Sequence, residues 1–278
     1  MRLSHDIQPM TLNKGAIRHA IARVVPPASI NGVRVLLYHA IDEPDPVDRM
    51  SLRVSRARFF EQMSALRDEE YHVVPLDSVS GSHTQDGRIR VAITFDDGYR
   101  SQEWAAGVLQ QFGFPATFFV VPRFLDGEPE PARYWERWGH MDWDAVAALA
   151  ARGFDVGAHS ATHPDLRTCE GARLDAEVRG ARLLLEERLG RPVPNFSYPH
   201  GRHNRRVRQA VERAGFRLAC TSRYGINQTS GPSFAVYRTE VSGDDNLLAF
   251  RSKLRGKYDW LGYWQDFETW RYRDVPSS

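Results

Sequence analysis

The stretch that decides the fold is VAITFDDGY, residues 91–99. The unbroken apolar and β-branched run from Val91 to Phe95 predicts a short strand that is buried on both faces. Two adjacent carboxylates, Asp96 and Asp97, follow at its carboxyl end. In folds with buried parallel strands, active sites are built at that end of the sheet. The stretch therefore predicts an α/β fold with a functional site beside the two aspartates.

Short apolar strands and amphipathic helices alternate along the chain around this stretch. We predict further strands at 33–38, 72–76, 116–121, 154–158, 195–198 and 216–221, and helices at 55–70, 101–112, 142–152, 171–189 and 204–214. This order indicates parallel strands joined by helical crossovers, in either an α/β barrel or an open doubly wound sheet. No GxGxxG follows the first strand and no GxxxxGK[ST] occurs, so a nucleotide-binding fold loses its main support.

Composition narrows the class of protein. The 278 residues are 42% hydrophobic and 26% charged, as in an ordinary globular protein. A net charge of +2 gives no basis for a nucleic-acid partner. The apolar run of a signal peptide or a membrane span is not found, so a cytoplasmic location is the default expectation. Cys169 and Cys220 form no CxxC pair, and we expect two reduced, mostly buried thiols.

A second group of polar residues follows the predicted strand 154–158. His159 and His163 are four residues apart, a spacing that lets two imidazoles converge on one ion. A carboxylate would complete a three-ligand site with an open position for water. Adjacent buried carboxylates also need a neutralising partner, and a divalent cation would serve. We therefore expect Asp97, His159 and His163 around one metal, with Asp96 facing the reacting water; the alternatives are a solvated turn and two exposed histidines.

TFDDGY at 94–99, followed by HSATH at 159–163, resembles the polysaccharide deacetylase family, also called NodB-homology or carbohydrate esterase 4. It is similar in particular to the branch of poly-N-acetylglucosamine deacetylases, over roughly residues 33–255. The resemblance implies a distorted (β/α) barrel of the NodB-homology type. It also implies that Asp96 is the general base and that Asp97, His159 and His163 bind one divalent ion. Zinc is the expected ion, with cobalt, nickel or iron as alternatives.

A third motif is FSYPHG at 196–201, which aligns with the family's groove wall. The resemblance implies substrate or oxyanion contacts, with the His200 amide holding the oxyanion, for the following residues: Tyr198, Pro199, His200 and Gly201. Many relatives carry an arginine, which orients the catalytic aspartate, at the position of Ser197. Arg238 is a candidate substitute, and a surface or interface arginine is the alternative.

The general acid of many relatives is a histidine near the C-terminus, but no histidine follows His203 in this chain. In the poly-N-acetylglucosamine branch, a Tyr-His at the end of the first strand looks like its replacement. Tyr38-His39 stands at that place here. We therefore predict that His39 is the general acid, the alternative being a hydrogen-bonded structural histidine.

Together these residues predict a metal-dependent hydrolase that removes N-acetyl groups from an N-acetylglucosamine-type sugar in a polysaccharide or glycoconjugate. The alternatives are a catalytically weak or inactive glycan-binding protein, and an amidohydrolase or deformylase that acts on a non-polymeric substrate. We expect an N-terminal extension with a short helix at 1–30, the deacetylase domain at 31–255 and an aromatic-rich tail packed on it at 256–278. Trp135 and Trp138 are candidates for a wall or lid of the substrate groove, and packing against an end of the barrel is the alternative.

Overall fold

The computed structural model describes residues 14–27, 31–48, 50–69, 71–81, 88–128, 138–228 and 233–271. The strands are β1 (Val33–Tyr38), β2 (Ala40–Ile41), β3 (Arg53–Val54), β4 (His72–Val73), β5 (Arg90–Phe95), β6 (Thr117–Val120), β7 (Asp155–Ala158), β8 (Asn195–Ser197), β9 (Leu218–Cys220), β10 (Ser233–Val236) and β11 (Thr239–Glu240). The helices are α1 (Lys14–Val24), α2 (Arg56–Asp68), α3 (Gln102–Phe112), α4 (Pro122–Leu125), α5 (Trp143–Ala151), α6 (Gly171–Asp175), α7 (Ala181–Leu189), α8 (Arg205–Arg213), α9 (Leu247–Leu254) and α10 (Trp260–Arg271). A π-helical segment, Ala176–Gly180, joins α6 to α7.

The described strands confirm the predicted α/β barrel. A nine-stranded sheet has the order β10-β9-β8-β7-β6-β5-β1-β11, with β4 beside β5, and its strand pairs are parallel. One stretch of chain, residues 233–240, supplies both ends of this order. Val236 pairs with Cys220 of β9, and Thr239 pairs with Leu36 of β1. The barrel therefore closes through a kinked segment in which Tyr237 and Arg238 separate two short strands.

Alternating strand residues face the barrel interior or the surrounding helices. The part of the interior below the polar residues, which we call the lower half, is filled by an apolar cluster: Val33, Val35, Val74, Leu76, Val79, Ala92, Phe119, Leu218, Cys220 and Val236. Phe119 fills space that Gly157 leaves, since a Cβ on Gly157 would lie 2.4 Å from its ring. The other face of the strands packs against the helices in the main hydrophobic core.

Local sequence signals explain where the helices begin and end. The side chains of Ser55, Asp142 and Asn204 accept hydrogen bonds from backbone amides in the first turns of α2, α5 and α8. Gly113 and Gly190 follow α3 and α7 with φ near +65° (68° and 62°), which glycine adopts at little cost. The predicted helix at 171–189 is present, but the π-helical segment interrupts its hydrogen-bond pattern.

The N-terminal helix and the C-terminal tail meet on the outside of the barrel. Ala22 of α1 packs against Tyr258 and Tyr224, and the Asp259 carboxylate accepts two hydrogen bonds from Arg34 of β1, at 2.6 and 3.1 Å. The tail is therefore attached to the barrel at its start. It is not packed throughout, because Tyr263 and Trp264 are 74% and 62% exposed.

Two smaller expectations concern cysteines and membrane spans. Cys169 and Cys220 are both buried and both free, as the sequence suggests. Among the residues that the structure describes, no helix has the length and apolar character needed to span a bilayer.

Candidate active site

The carboxyl ends of β5 and β7 bring the two polar motifs together. Asp96 and Asp97 directly follow β5, and His159 directly follows β7. Residues 160–163 form a tight turn that carries His163 back over the barrel. The sites predicted from separate stretches of sequence thus lie at one end of one sheet, which we call the upper end.

Asp97, His159 and His163 form a compact set of donors. One ligand atom of each lies within 4.8 Å of the other two. Asp97 Oδ1 is 3.4 Å from Nε2 of His159 and 3.5 Å from Nε2 of His163. Donors held ~2.0–2.1 Å from a tetrahedral ion lie roughly 3.3 Å apart, so this spacing fits a metal such as zinc.

The backbone fixes the orientation of His159. Its Nδ1 lies 2.8 Å from the carbonyl oxygen of Ser197, to which it donates when protonated. Nε2 then presents its lone pair toward Asp97. A hydrogen bond from the opposite ring nitrogen to a carbonyl is the usual way in which a metal-binding histidine is oriented. Burial lowers the pKa of His159, but the charges of Asp96 and Asp97 outweigh it and raise the pKa above its ordinary value. The pocket thus attracts positive charge, whether a proton or a cation.

Asp96 is held differently from Asp97, by a buried arginine. Arg238 donates from Nη1 to Oδ1 at 2.7 Å and from Nη2 to Oδ2 at 2.6 Å, a bidentate pair. Asp96 is 3% exposed and Arg238 is fully buried. Burial alone would raise the pKa of Asp96, yet Arg238 and His159 hold it below its usual range. Asp96 is therefore kept ionised, with Oδ2 3.7 Å from His159 Nε2.

Ser197 joins Asp96 to Arg238. Its hydroxyl lies 3.1 Å from Asp96 Oδ2 and accepts from Arg238 Nη2 at 2.9 Å. Arg238 Nε in turn donates to the carbonyl of Thr221 at 2.7 Å. Position 197, where many relatives carry an arginine, thus holds a serine whose hydroxyl bridges the ion pair. The guanidinium comes instead from Arg238, in the segment that closes the barrel.

Two further polar residues support the backbone beneath the site. Gln102, fully buried at the start of α3, donates from Nε2 to the carbonyls of His39 (3.1 Å) and Asp96 (2.7 Å). Thr94 donates its hydroxyl to the Leu36 carbonyl at 2.7 Å. These bonds tie the ends of β1 and β5 together, so His39 and Asp96 are fixed relative to each other.

Backbone strain is concentrated at this end of the barrel. Asp97, Ser160, His163 and His200 all have positive φ, between 58° and 72°, although none is glycine. L-residues rarely adopt this conformation, and such strain clusters at functional sites. The surrounding hydrogen bonds must therefore maintain the loops of the site.

His39 lies at the carboxyl end of β1, beside both aspartates. Its charge is among the influences that lower the pKa of Asp96 and of Asp97. Its Nδ1 is buried and, among the described residues, has no hydrogen-bond partner. The alternative of a satisfied structural histidine therefore has no support at that nitrogen.

The turn at 198–201 agrees only in part with the sequence-based expectation. His200 reaches the site, with its ring centroid 4.7 Å from that of His163, and Gly201 packs against Ser222 where a Cβ would not fit. Tyr198 does not reach it. Its side chain is fully buried, stacks on His203 and donates its hydroxyl to the Phe234 carbonyl at 3.1 Å. A substrate contact by that side chain is therefore wrong, because strand alternation turns it toward the helices.

Aromatic side chains form one wall of the upper end. Tyr99 stacks on His140 and lies edge-on to Trp138, and Phe124 lies 6.1 Å from His163 between ring centroids. Trp138 donates Nε1 to Asp45 at 3.1 Å. Trp138 is thus part of a fixed wall, whereas Trp135 lies outside the described residues.

Sequence reasoning missed Gln102 and also a second buried polar residue of this region. Glu177, in the π-helical segment, is buried and accepts hydrogen bonds from the turn between the two histidines. Its polar character within the apolar face of 171–189 was the available signal, since a buried carboxylate needs partners.

Comparison with known proteins shows what these features are similar to. Residues 83–219 match the family model described as polysaccharide deacetylase. A chitooligosaccharide deacetylase of a Bradyrhizobium strain is 30% identical over 146 residues, 51% of this chain and 60% of that protein. One from Azorhizobium caulinodans is 28% identical over 46% of this chain and 55% of its own length. The chain thus spans less than two thirds of either relative.

Solved structures show the same architecture. A polysaccharide deacetylase from Bacillus cereus superposes with a TM-score of 0.67 at 25% identity, over 81% of this chain and 69% of its own. IcaB from Ammonifex degensii superposes with a TM-score of 0.66 at 24% identity, over 82% of this chain and 97% of its own. At that identity the second likeness supports the fold alone.

Proposed function

From the likeness of residues 83–219 to the polysaccharide deacetylase family, we propose that the chain belongs to that family and is a metal-dependent N-deacetylase. Its substrate is an N-acetylated hexosamine of the N-acetylglucosamine type, in a polysaccharide or glycoconjugate. One observation carries the proposal. Three metal-ligand atoms lie within 4.8 Å of one another beside a carboxylate that Arg238 keeps ionised.

Asp97, His159 and His163 would hold the ion, and zinc suits this set of one carboxylate and two imidazoles. Bound there, it would activate water and polarise the acetyl carbonyl. The donor spacing and the fixed tautomer of His159 support this assignment.

Asp96 acts as the general base in this proposal. The bidentate contact with Arg238 keeps both carboxylate oxygens in place and the group deprotonated at neutral pH. A positioned base of this kind contributes about 10²–10⁴-fold to the rate. Ser197 completes the support, since its hydroxyl bridges Asp96 and Arg238.

His39 and His200 act on the two ends of the reacting amide. His39 donates a proton to the leaving amine, a role supported by its place beside both aspartates. The backbone amide of His200 holds the developing oxyanion, a role supported by the position of its turn next to His163.

The test is release of acetate from N-acetylglucosamine oligomers by chelator-treated protein, before and after addition of Zn²⁺ or Co²⁺. We expect release only with metal. The same oligomers are then assayed with the Asp97→Asn and His163→Gln variants, which should fail to regain activity at metal concentrations that restore the wild type.

Release of formate from N-formyl analogues in place of acetate would instead favour a deformylase. Binding of the oligomers with no hydrolysis at any metal concentration would identify a glycan-binding protein and reject the proposal.

A further inference from the structure

Glu177 contacts the turn between the two histidines through both its side chain and its backbone. Its carboxylate accepts from the amides of Ala161 at 3.1 Å and Thr162 at 2.9 Å, and from the Thr162 hydroxyl at 2.6 Å. Its backbone carbonyl accepts from the Ala161 amide at 3.0 Å. Glu177 is only 6% exposed, so these contacts are made out of water.

The turn needs such support because of its backbone conformation. Ser160 and His163 have φ of 61° and 60°, in the left-handed region that residues with a side chain avoid. The His163 amide donates to the Ser160 hydroxyl at 2.9 Å. Three successive amides, at 161–163, therefore point at side-chain oxygens, and two of the three depend on Glu177.

The π-helical segment explains how Glu177 reaches the turn. Residues 171–189 form an otherwise regular helix whose apolar face packs in the core, including Leu174 and Val178. Five residues of wider helix, Ala176–Gly180, begin directly before Glu177. π-helical turns occur mostly as local insertions at functional sites. Here the segment presents a carboxylate to the histidine turn without removing Val178 from the core.

We propose that Glu177 is a positioning residue that sets the affinity and geometry of the metal site by fixing His163 relative to His159. The inference rests on the metal site of the proposed function. Glu177 touches no ligand atom and acts through the backbone between the two histidines. Residues beyond the ligands that orient them commonly control metal affinity by 10–100-fold.

The test measures metal binding and not turnover. Zn²⁺ is titrated into chelator-treated protein in competition with a chromophoric chelator, and Co²⁺ is added separately to record its visible absorption spectrum. We expect Glu177→Gln to weaken Zn²⁺ binding by about 10–100-fold and to shift the Co²⁺ bands, because the amide group offers one acceptor oxygen where the turn presents three donors.

A second pair of variants tests the same contact from the other side. Thr162→Val removes only the hydroxyl contact and should weaken Zn²⁺ binding by roughly fivefold, the equivalent of one ordinary hydrogen bond. Thr162→Ser keeps the hydroxyl and should restore wild-type affinity. This pair decides the question if the Glu177 variant does not fold.

Glu186 provides a matched control in the same helix. Its carboxylate also accepts from a loop amide, that of Val193 at 3.0 Å, and from Arg182 at 2.9 Å, but it supports the turn before β8. Glu186→Gln should lower stability and leave the Zn²⁺ affinity and Co²⁺ spectrum unchanged.

Three outcomes separate the inference from its premise. Loss of affinity in Glu177→Gln and Thr162→Val, but not in Glu186→Gln, supports it. Wild-type affinity and spectrum in the first two variants, or equal losses in all three, overturn it. Failure of the wild type itself to bind Zn²⁺ or Co²⁺ rejects the proposed metal site instead.

Discussion

The two halves of the barrel interior are built from the same alternating strand positions but have opposite chemistry. Along β5 the inward residues change from Ala92 in the lower half, through Thr94, to Asp96 at the upper end. The lower cluster is apolar, whereas the upper end holds an ion pair, Asp96 and Arg238, with almost no exposure. The lower half therefore gains stability from packing, and the upper half retains charges that must be paired.

The contrast assigns different consequences to changes in the two halves. Removing apolar volume below should weaken folding and leave chemistry intact. Removing a polar partner at the upper end should lower the reaction rate, the stability or both. Which of these changes depends on the group that is left unpaired in the interior.

The largest effect is expected from the upper half, in Asp96→Asn. The variant loses the base, so kcat for acetate release should fall by about 10²–10⁴-fold. The three ligand side chains remain, and Zn²⁺ should stay bound to the folded protein. Metal content and single-turnover kinetics measured on the same sample check this. Parallel loss of zinc would show that the two aspartates do not have separate roles.

The next effect concerns the ion pair itself, in Arg238→Met. Breaking a buried pair from one side costs about 3–5 kcal/mol, which denaturant unfolding at pH 7 would measure. In the wild type the pKa of Asp96 is lowered, so its contribution to stability is present at neutral pH and is lost as pH falls. In the variant burial raises that pKa, so the deficit should shrink on acidification.

Arg34→Met is the matched control, since Arg34 is also buried and pairs with a carboxylate, Asp259, away from the site. The Arg34→Met variant should have a lower free energy of unfolding than the wild type and an unchanged kcat. Arg238→Met should lower kcat as well, because Asp96 loses the group that orients it. Equal effects of the two arginine variants on kcat would contradict that role of Arg238.

The lower half is tested by Leu218→Ala. A cavity in this cluster should cost about 2–5 kcal/mol of unfolding free energy, seen as a lower denaturation midpoint. Zn²⁺ affinity and kcat at a temperature where the variant is folded should equal those of the wild type. A large fall in kcat would mean that the two halves are not mechanically separate.

The smallest effect is expected on the pH dependence of stability, from His203→Gln on the outer side of the upper end. Burial, with a further contribution from the charge of Arg208, lowers its pKa below the ordinary value. The unfolded chain therefore binds a proton first, and stability falls as pH drops below about 6.5, by less than ~1.4 kcal/mol per pH unit. In chelator, unfolding at pH 7.5 and 5.5 should show a smaller acid loss for His203→Gln. Identical acid losses would contradict this.

The sequence was sufficient to predict the central elements of the fold. Buried strands such as Val91–Phe95 are recognisable because parallel strands covered by helices need apolar residues on both faces. The aspartate and histidine motifs directly follow such strands, so their meeting at one end of the sheet follows from parallel topology alone. The structure brings Asp97, His159 and His163 together as expected, and their ligand role stays a prediction.

Other features depend on long-range geometry that no local pattern carries. The pairing of Arg238 with Asp96 requires residues 233–240 to join both edges of the sheet, and the two short strands involved have no distinctive periodicity. The π-helical segment coincides with hydrogen bonds between Glu177 and the turn at 160–163, a contact that no local pattern carries. The error at Tyr198 was avoidable, since Phe196 and Tyr198 alternate with the small polar Asn195 and Ser197, a pattern that turns the serine inward.

Closure of the barrel by residues 233–240 makes the candidate site depend on complete folding. Until that segment joins β9 to β1, Asp96 has no arginine beside it. A chain cut before Arg238 would keep both histidines and both aspartates yet lack the guanidinium that orients the Asp96 carboxylate. A residue late in the chain thus completes a site whose other side chains come from earlier strands.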